Sequence, residues 1–281
     1  MAGTFARSYQ LVKESWAILK QDKELAVIPV VSAICSMVVL GIFTVFGYYL
    51  EIRFDLRTIP TAYFYLFSFI YYLITYFVVS FFSAVMATCV SIRMKGDNPT
   101  LNDGIKNASA HVGALFLWSI LSATVGLVLR IIFERSALLG KIVVWIVGAL
   151  WSLATFFIIP VLVLENLSVG KGIKRSKEIF LKTWGENFVG GLGVGIFFGL
   201  LFLAGLAVGF ALMFLVSSLA QPTIPMILIG AVCLLYFVIL GVISSALSGI
   251  FDITLYNYAS TGKIPAGISP ELVQAAFKPK S

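Results

Sequence analysis

Long runs of apolar residues alternate with short polar stretches along this chain. The six longest runs lie at 25–50, 62–92, 111–133, 142–164, 188–219 and 226–259. A helix needs about 20 apolar residues to cross a hydrocarbon core of about 30 Å, and each run is long enough. The pattern therefore predicts an all-α membrane protein with six transmembrane helices. Pro160, near the end of the fourth run, predicts a kink in that helix.

Three of the polar stretches have the periodicity of an amphipathic helix. Each begins at a residue type that favours the helix N-cap, Thr4, Thr100 or Ser168. The apolar positions are Phe5, Tyr9, Val12, Trp16 and Leu19 in the first, Leu101, Ile105, Ala108, Val112 and Leu115 in the second, and Val169, Ile173, Ser176, Phe180 and Trp184 in the third. Steps of three and four residues place each set on one helix face. Because basic amphipathic helices lie in the membrane interface, we expect all three on the cytoplasmic surface.

The order of N-cap, apolar stripe and two spans occurs three times, at 4–93, 100–165 and 168–259. We therefore expect three helical hairpins, each preceded by an interfacial amphipathic helix. Together they form a single membrane domain over residues 1–281, with a cytoplasmic tail at 260–281. Two copies share the tripeptide Gly-Ile-Lys, at 104–106 and 172–174. Identity is otherwise low, so patterning common to membrane helices is the alternative to a structural repeat.

Composition and charge agree with a membrane protein and indicate its orientation. Only 12% of the residues are charged, against about 25% in soluble proteins. The N-terminal segment, the loops at 93–110 and 165–187 and the tail hold 4, 3, 5 and 3 of the 20 Lys and Arg residues, which leaves 5 for the opposite side. Because basic residues accumulate on the cytoplasmic side, both termini are expected in the cytoplasm.

The net charge of +7 indicates contact with lipid rather than with nucleic acid, because the basic residues lie between membrane spans. Contacts with anionic headgroups of the cytoplasmic leaflet are expected for Lys171, Lys174, Arg175, Lys177 and Lys182. Each such residue contributes about 1 kcal/mol to membrane binding. A protein partner or a second copy of the chain is a further expectation.

Catalytic motifs are missing from the sequence. His111 is the single histidine, and no metalloprotease, serine-hydrolase or phosphate-loop pattern occurs. Cys35, Cys89 and Cys233 all lie in apolar runs, where cysteine packs as a small hydrophobic residue. We therefore expect a protein without enzymatic activity, cofactor or metal.

Three charged residues near the membrane boundary are the best candidates for function. Arg93 and Glu165 close the second and fourth spans, and Asp252 lies within the last turns of the sixth, all toward the cytoplasmic end in the predicted topology. They are interpreted first as interfacial charges that fix the helix ends. The alternatives are one ion-paired cluster, or a site that couples protons or ions. The centres of the spans carry no charge, which argues against an ion-driven pump.

Small residues form two further patterns within the spans. Gly191, Gly195 and Gly199, followed by Gly205 and Gly209, have the four-residue spacing that lets helices approach closely. They are interpreted as packing residues within the monomer, with a dimer interface or a pathway wall as alternatives. The sixth span carries a mildly polar face formed by Gly241, Ser244, Ser245, Ser248 and Gly249. It either packs closely against a helix or lines a narrow cavity.

Both ends of the chain resemble a known family. The segments FARSYQLVKESWAILKQDKEL at 5–25, IPVVSAI at 28–34 and LYNYASTGKIPAGISPELVQAAFKPK at 255–280 are similar to the start and end of an uncharacterised prokaryotic family of six-span membrane proteins. The most specific residues are Asp-Lys-Glu-Leu at 22–25 and Ala-Phe-Lys-Pro-Lys at 276–280. The resemblance implies six spans in a prokaryotic cytoplasmic (inner) membrane. It implies no activity and no catalytic residue.

Two functions remain after these exclusions. The first is a non-enzymatic, lipid-interacting scaffold or assembly component of the cytoplasmic membrane, favoured by the interfacial helices and the basic cytoplasmic face. The second is a permease, a channel or a transporter of lipids or small solutes, favoured by the helix number and the serine face. A cavity that reaches Ser244, Ser248 or Asp252 would favour the second.

Overall fold

The computed structural model describes residues 16, 19–20, 22, 24–53, 60–184, 189–217 and 223–262, without the side chains of 183–196. Within these ranges the regular structure is entirely α-helical. The helices are α1 (Glu24–Arg53), α2 (Thr61–Met94), α3 (Leu101–Ala110), α4 (Val112–Arg135), α5 (Leu138–Ala154), α6 (Ile158–Leu164), α7 (Val169–Trp184), α8 (Val189–Ser217) and α9 (Thr223–Thr261).

Six helical stretches are long and apolar enough to cross a membrane. They are α1, α2, α4, the interrupted pair α5–α6, α8 and α9. This confirms the predicted class, an all-α protein with six membrane-spanning segments. Helices that follow one another along the chain pack together, α1 with α2, α4 with α5 and α8 with α9. The three-hairpin arrangement and the interfacial position of the short helices stay predictions.

Helix α2 is the centre of the packing, since it contacts α1, α3, α4, α6 and α9. Its second half is buried, from Ala84 to Ser91, whereas its first half is largely exposed. Helix α9 likewise has an exposed apolar first half, and most residues from Ala246 to Tyr256 are buried. Exposed apolar halves are what lipid contact requires, because lipid replaces protein around them. The protein core therefore lies at the end of the bundle where α3 and α7 pack.

Helix α3 begins with the predicted cap. The Thr100 hydroxyl accepts a hydrogen bond from the Asp103 amide at 3.2 Å, and the Asp103 carboxylate accepts one from the Thr100 amide at 3.0 Å. The Thr100 hydrogen bonds lower the pKa of Asp103. Because the folded pKa is depressed, the stabilisation is present at neutral pH and is lost as the pH falls through it. The Glu24 carboxylate accepts a further bond from the Leu101 amide at 3.0 Å.

The apolar positions of the second amphipathic segment are divided between α3 and α4. Helix α3 ends at Ala110, and the backbone changes direction at His111 before α4 begins. Gly104 and Ala108 are buried, whereas Ile105 is 44% exposed. The predicted apolar positions therefore belong to two successive helices, and the interfacial position of this segment stays a prediction. The first amphipathic segment lies largely outside the described residues.

The fourth span is interrupted, as Pro160 predicted. Helix α5 ends at Ala154 and α6 begins at Ile158, so the break precedes the proline. The proline ring excludes the carbonyl of the residue four positions earlier, and its nitrogen has no hydrogen to donate. At the break, the Phe157 amide donates a hydrogen bond to the Ser176 hydroxyl of α7 at 3.1 Å. A side chain from another helix thus replaces the lost helical partner.

Helix α7 uses its apolar face to contact protein. Gly172, Ser176, Ile179 and Phe180 are buried, and α7 packs against α5, α6 and α9. Of the predicted stripe, Val169 and Ile173 are only partly buried. Contacts within the protein therefore account for the amphipathic periodicity of this segment.

Candidate functional site

The three charged residues of the predicted cluster have different surroundings. The Nε atom of Arg93 lies 3.6 Å from the Oδ2 atom of Asp22, whose side chain is 5% exposed. This ion pair joins the end of α2 to the segment that precedes α1. Asp22 belongs to the Asp-Lys-Glu-Leu sequence at 22–25. Arg93 thus has an N-terminal carboxylate as its ion-pair partner, which the spacing of the spans did not indicate.

The Glu165 carboxylate accepts hydrogen bonds from two other helices. It accepts hydrogen bonds from Arg175 Nε at 2.9 and 3.2 Å and from the Tyr256 hydroxyl at 2.9 Å. Its own residue follows α6, Arg175 belongs to α7 and Tyr256 belongs to α9. The hydrogen bond from Arg175 to Glu165 raises the pKa of Arg175, so the guanidinium stays charged. Glu165 therefore joins three helices at one point.

This pairing changes the interpretation of the basic face of α7. Arg175, predicted to contact lipid headgroups, is partly buried and bonded to Glu165. The other four residues of that prediction, Lys171, Lys174, Lys177 and Lys182, are exposed. Their contact with lipid stays a prediction.

Asp252 lines a cavity of about 190 Å³ near the buried end of the bundle. The walls come from the start of α1, the middle of α2, the break before α6 and the second half of α9. Hydroxyl groups of Ser32, Ser83 and Ser245 lie in the same lining as the carboxylate. Among the described residues, Asp252 has no hydrogen-bonding or cationic partner. The three residues of the predicted cluster therefore do not pair with one another. Arg93 pairs with Asp22, Glu165 pairs with Arg175, and Asp252 lines a cavity.

The serine face of the sixth span contributes to this cavity in part. Ser245 and Gly249 line it, one turn apart and one turn before Asp252. Ser245 and Gly241 also line a second cavity of about 370 Å³ between α1 and α9. Two of the five predicted positions therefore lie beside Asp252.

Of the glycines predicted to pack closely, the later ones of α8 contact α9. A Cβ atom at Gly199 would meet nothing within 4 Å, whereas one at Gly205 would collide with the Tyr236 ring of α9. A Cβ atom at Gly209 would lie 3.0 Å from the sulfur of Cys233. Gly191 and Gly195 belong to the part of α8 whose side chains are not described. Close packing within the monomer is thus found at Gly205 and Gly209, and Gly199 is open.

A groove between α2, α4 and α5 was missed in the sequence. It has a volume of about 670 Å³, and its lining includes Trp118 and Trp151, whose rings stack at 5.9 Å. The hydroxyls of Ser80, Ser122 and Ser152 interrupt the apolar runs of three different helices. Such hydroxyls in a span were the available signal. Only the fold shows that they share one groove.

The described residues contain no group of three His, Cys, Asp or Glu side chains that would hold a metal ion. Cys35, Cys89 and Cys233 are free thiols. The expectations of no metal and no cofactor stay predictions.

The helices and their apolar surfaces define the class, a multi-pass membrane protein. The chain belongs to DUF6159, a family of unknown function whose model matches residues 61–266. The matched region includes the start of the tail pattern at 255–280 and excludes the N-terminal pattern at 5–34. No curated protein and no solved structure matches the chain. The predicted membership of an uncharacterised multi-span family is confirmed, and its prokaryotic origin stays a prediction.

Proposed function

We propose that the protein is a carrier for small organic cations and that Asp252 binds the cation. One observation supports this above the others. A carboxylate without a protein partner lines a cavity near the buried end of a membrane bundle. A charge near membrane level that no protein group neutralises is expensive, and such residues mark ion and substrate pathways. A bound cation would neutralise this charge.

Comparison with Glu165 makes the distinction clear. Glu165 accepts hydrogen bonds from both Arg175 and Tyr256, so its charge is compensated within the protein. Asp252 lies one helical turn before Tyr256, yet it is directed to the cavity. The first carboxylate has a structural role and the second is available to a ligand. The serine hydroxyls around Asp252 would accept hydrogen bonds from an ammonium or guanidinium group.

The size of the cavity favours a small group. A volume of about 190 Å³ is below the range of about 300–1,000 Å³ that is typical of sites for drug-sized ligands. We propose transport rather than catalysis, since the described lining combines Asp252 with serine hydroxyls but contains no His, Cys or Lys side chain that would complete a nucleophilic site. We also propose the cytoplasmic membrane as the location, with both termini inside, on the basis of the asymmetric distribution of Lys and Arg.

Uptake of radiolabelled methylammonium into proteoliposomes tests the proposal. The wild-type protein is expected to give saturable uptake above empty liposomes. Asp252→Asn removes the charge and keeps the size of the side chain, so the apparent affinity is expected to fall about tenfold to a hundredfold. That range corresponds to the loss of one charge-assisted hydrogen bond of about 1.5–3 kcal/mol.

Asp97→Asn is the matched control, because Asp97 lies exposed in the turn after α2. It is expected to leave uptake unchanged. Thermal unfolding of both variants in detergent separates a binding defect from misfolding. Equal uptake by the wild-type protein and a correctly folded Asp252→Asn variant would exclude Asp252 as the cation site.

A lipid-binding scaffold is the second candidate, and the exposed lysines of α7 favour it. Replacing Lys171, Lys174, Lys177 and Lys182 together by glutamine is expected to reduce the anionic lipid that co-purifies with the protein, since each lysine contributes about 1 kcal/mol. Mass spectrometry of lipids retained in mild detergent measures this. An equal number of substitutions on the other side of the predicted topology is the control, at the exposed residues Arg53, Arg130 and Arg135 and at the partly buried Lys141. Unchanged anionic lipid in the lysine variant would argue against the scaffold.

A further inference from the structure

The groove between α2, α4 and α5 has the dimensions and surface of a site for a hydrocarbon chain. Along α4 it extends from Trp118 to Leu129, which is about 16 Å at 1.5 Å per residue. The stacked indoles of Trp118 and Trp151 form one wall. Its volume of about 670 Å³ lies within the range found for ligand sites.

Small residues keep the groove open. Gly126 and Gly148 both line it, on α4 and on α5. A Cβ atom at Gly126 would lie 3.4 Å from the hydroxyl of Tyr76, and one at Gly148 would lie 3.7 Å from a methyl of Leu129. A larger side chain at either position would occupy the space that the groove now leaves. The width therefore depends on these two glycines.

Ser122 brings one unpartnered hydroxyl to the groove, and a hydrocarbon chain does not supply its hydrogen bond. Ser122 lines the groove, its side-chain oxygen is buried, and that oxygen has no hydrogen-bond partner. Serine hydroxyls within a helix commonly bond to the carbonyl four residues earlier, as Ser119 does with Leu115 at 2.7 Å. Buried polar groups without a partner are rare and need an explanation.

The groove adjoins the cavity of Asp252. Ser83 of α2 and Ile159 of α6 line both spaces, so the two share a wall at these residues. The described linings of the groove and the cavity contain one acidic residue, Asp252, and no basic residue. A ligand that fills both has one positive group at Asp252 and an apolar part beside the indoles.

We propose that the carried solute is a cationic amphiphile, with its ammonium group at Asp252 and its hydrocarbon chain in the groove between α2, α4 and α5. This inference rests on the proposed function and specifies its substrate class. Because the groove is apolar, affinity is expected to rise about threefold to fourfold for each methylene that the groove accepts. Tetramethylammonium, which has no chain, is expected to bind independently of the groove.

Quenching of tryptophan fluorescence tests the chain position. The probe is 11-bromoundecyltrimethylammonium, added to the protein in phosphatidylcholine nanodiscs. A reporter variant carries Trp16→Phe, Trp145→Phe and Trp184→Phe, which leaves Trp118 and Trp151. Saturable quenching is expected, and Gly126→Leu is expected to weaken it at least about tenfold by filling the groove. Asp252→Asn is expected to weaken it as well.

Two controls separate binding from partition into lipid. Gly113→Leu places the same side chain in the same helix where nothing lies within 4 Å, and it is expected to leave quenching unchanged. A variant that keeps only Trp16, whose side chain is 37% exposed and lies outside the lining of the groove, reports probe in the lipid. If Gly126→Leu fails to fold, Gly148→Leu fills the groove from its other side.

The outcomes distinguish the two proposals. Quenching of Trp118 and Trp151 that rises without saturation, in parallel with Trp16, overturns the amphiphile but leaves Asp252-dependent uptake of methylammonium intact. Quenching that saturates equally in Asp252→Asn overturns the position of the ammonium group. Loss of quenching in Gly126→Leu, with tetramethylammonium binding retained, supports the amphiphile.

Discussion

Replacing Gly104 with alanine is expected to lower the free energy of unfolding by about 1–3 kcal/mol, the usual range for overpacking a core. A Cβ atom at this position would lie 2.7 Å from the sulfur of Cys89 and 2.8 Å from a methyl of Val85. It would also lie 3.0 Å from the carbonyl oxygen of Val85, which belongs to the backbone of α2 and moves only with that helix. The melting temperature in detergent is expected to fall accordingly.

Gly113→Ala is the matched control, because a Cβ atom at Gly113 would meet nothing within 4 Å. Alanine is the better helix former by about 0.8–1.0 kcal/mol, so this variant is expected to be as stable as the wild-type protein or more so. Adding Cys89→Ala to Gly104→Ala removes the closest contact and is expected to restore part of the loss. Equal stability of Gly104→Ala and Gly113→Ala would contradict the close approach of α3 to α2.

The contact at Gly104 has a counterpart at Gly172. A Cβ atom at Gly172 would lie 3.0 Å from Ile158 and 3.0 Å from Leu162. Both glycines open the tripeptide Gly-Ile-Lys, and each rests on two side chains four residues apart in the preceding span. The lysine that ends each tripeptide is exposed. This equivalence supports the predicted repeat, whose full extent stays a prediction.

The spans were predictable because each depends on local composition alone. The first was expected at 25–50 and is α1, Glu24–Arg53. Backbone groups in lipid must be satisfied within the helix, so a long apolar run has few alternatives. The break before Pro160 followed from the chemistry of one residue. Its partner, the Ser176 hydroxyl, comes from another helix and was not foreseeable from local sequence.

The packing of the short helices was harder to predict, because their apolar stripes were interpreted as faces that contact the membrane interface. In α3 the buried residues include Gly104, which carries no side chain but allows the closest approach to α2. Ile105, the larger apolar residue beside it, is exposed. The buried face is set by which helix lies nearby, and that is a tertiary fact.

The candidate site was also only partly predictable from the sequence. Arg93 lies in the last turn of α2, Glu165 follows α6, and Asp252 lies more than two turns before the end of α9. The partners of the first two, Asp22 and Arg175, belong to other segments. Electrostatic partners depend on distances of a few ångströms that spacing along the chain does not contain. The hydroxyls that line the cavity with Asp252 come from three helices, so only the assembled bundle groups them.

Replacing Glu165 with glutamine is expected to lower the free energy of unfolding by about 1.5–3 kcal/mol, the range for hydrogen bonds to a charged group. The change keeps the size of the side chain but removes the charge that Arg175 contacts at 2.9 Å. It also weakens the acceptor of the Tyr256 hydroxyl at 2.9 Å. The side chains of Glu165 and Arg175 are only 25% and 31% exposed, so water compensates for little of the loss.

Glu134→Gln is the control, because Glu134 forms the comparable pair with Arg130 at 2.8 Å but with side chains 43% and 47% exposed. Exposed pairs four residues apart on a helix contribute about 0.3–0.5 kcal/mol, so this variant is expected to melt close to the wild-type protein. If both glutamine variants lost the same stability, Glu165 would be one surface charge among others and not the junction of three helices. The junction at Glu165 joins α7 and α9 through Arg175 and Tyr256, without a contact to Asp252.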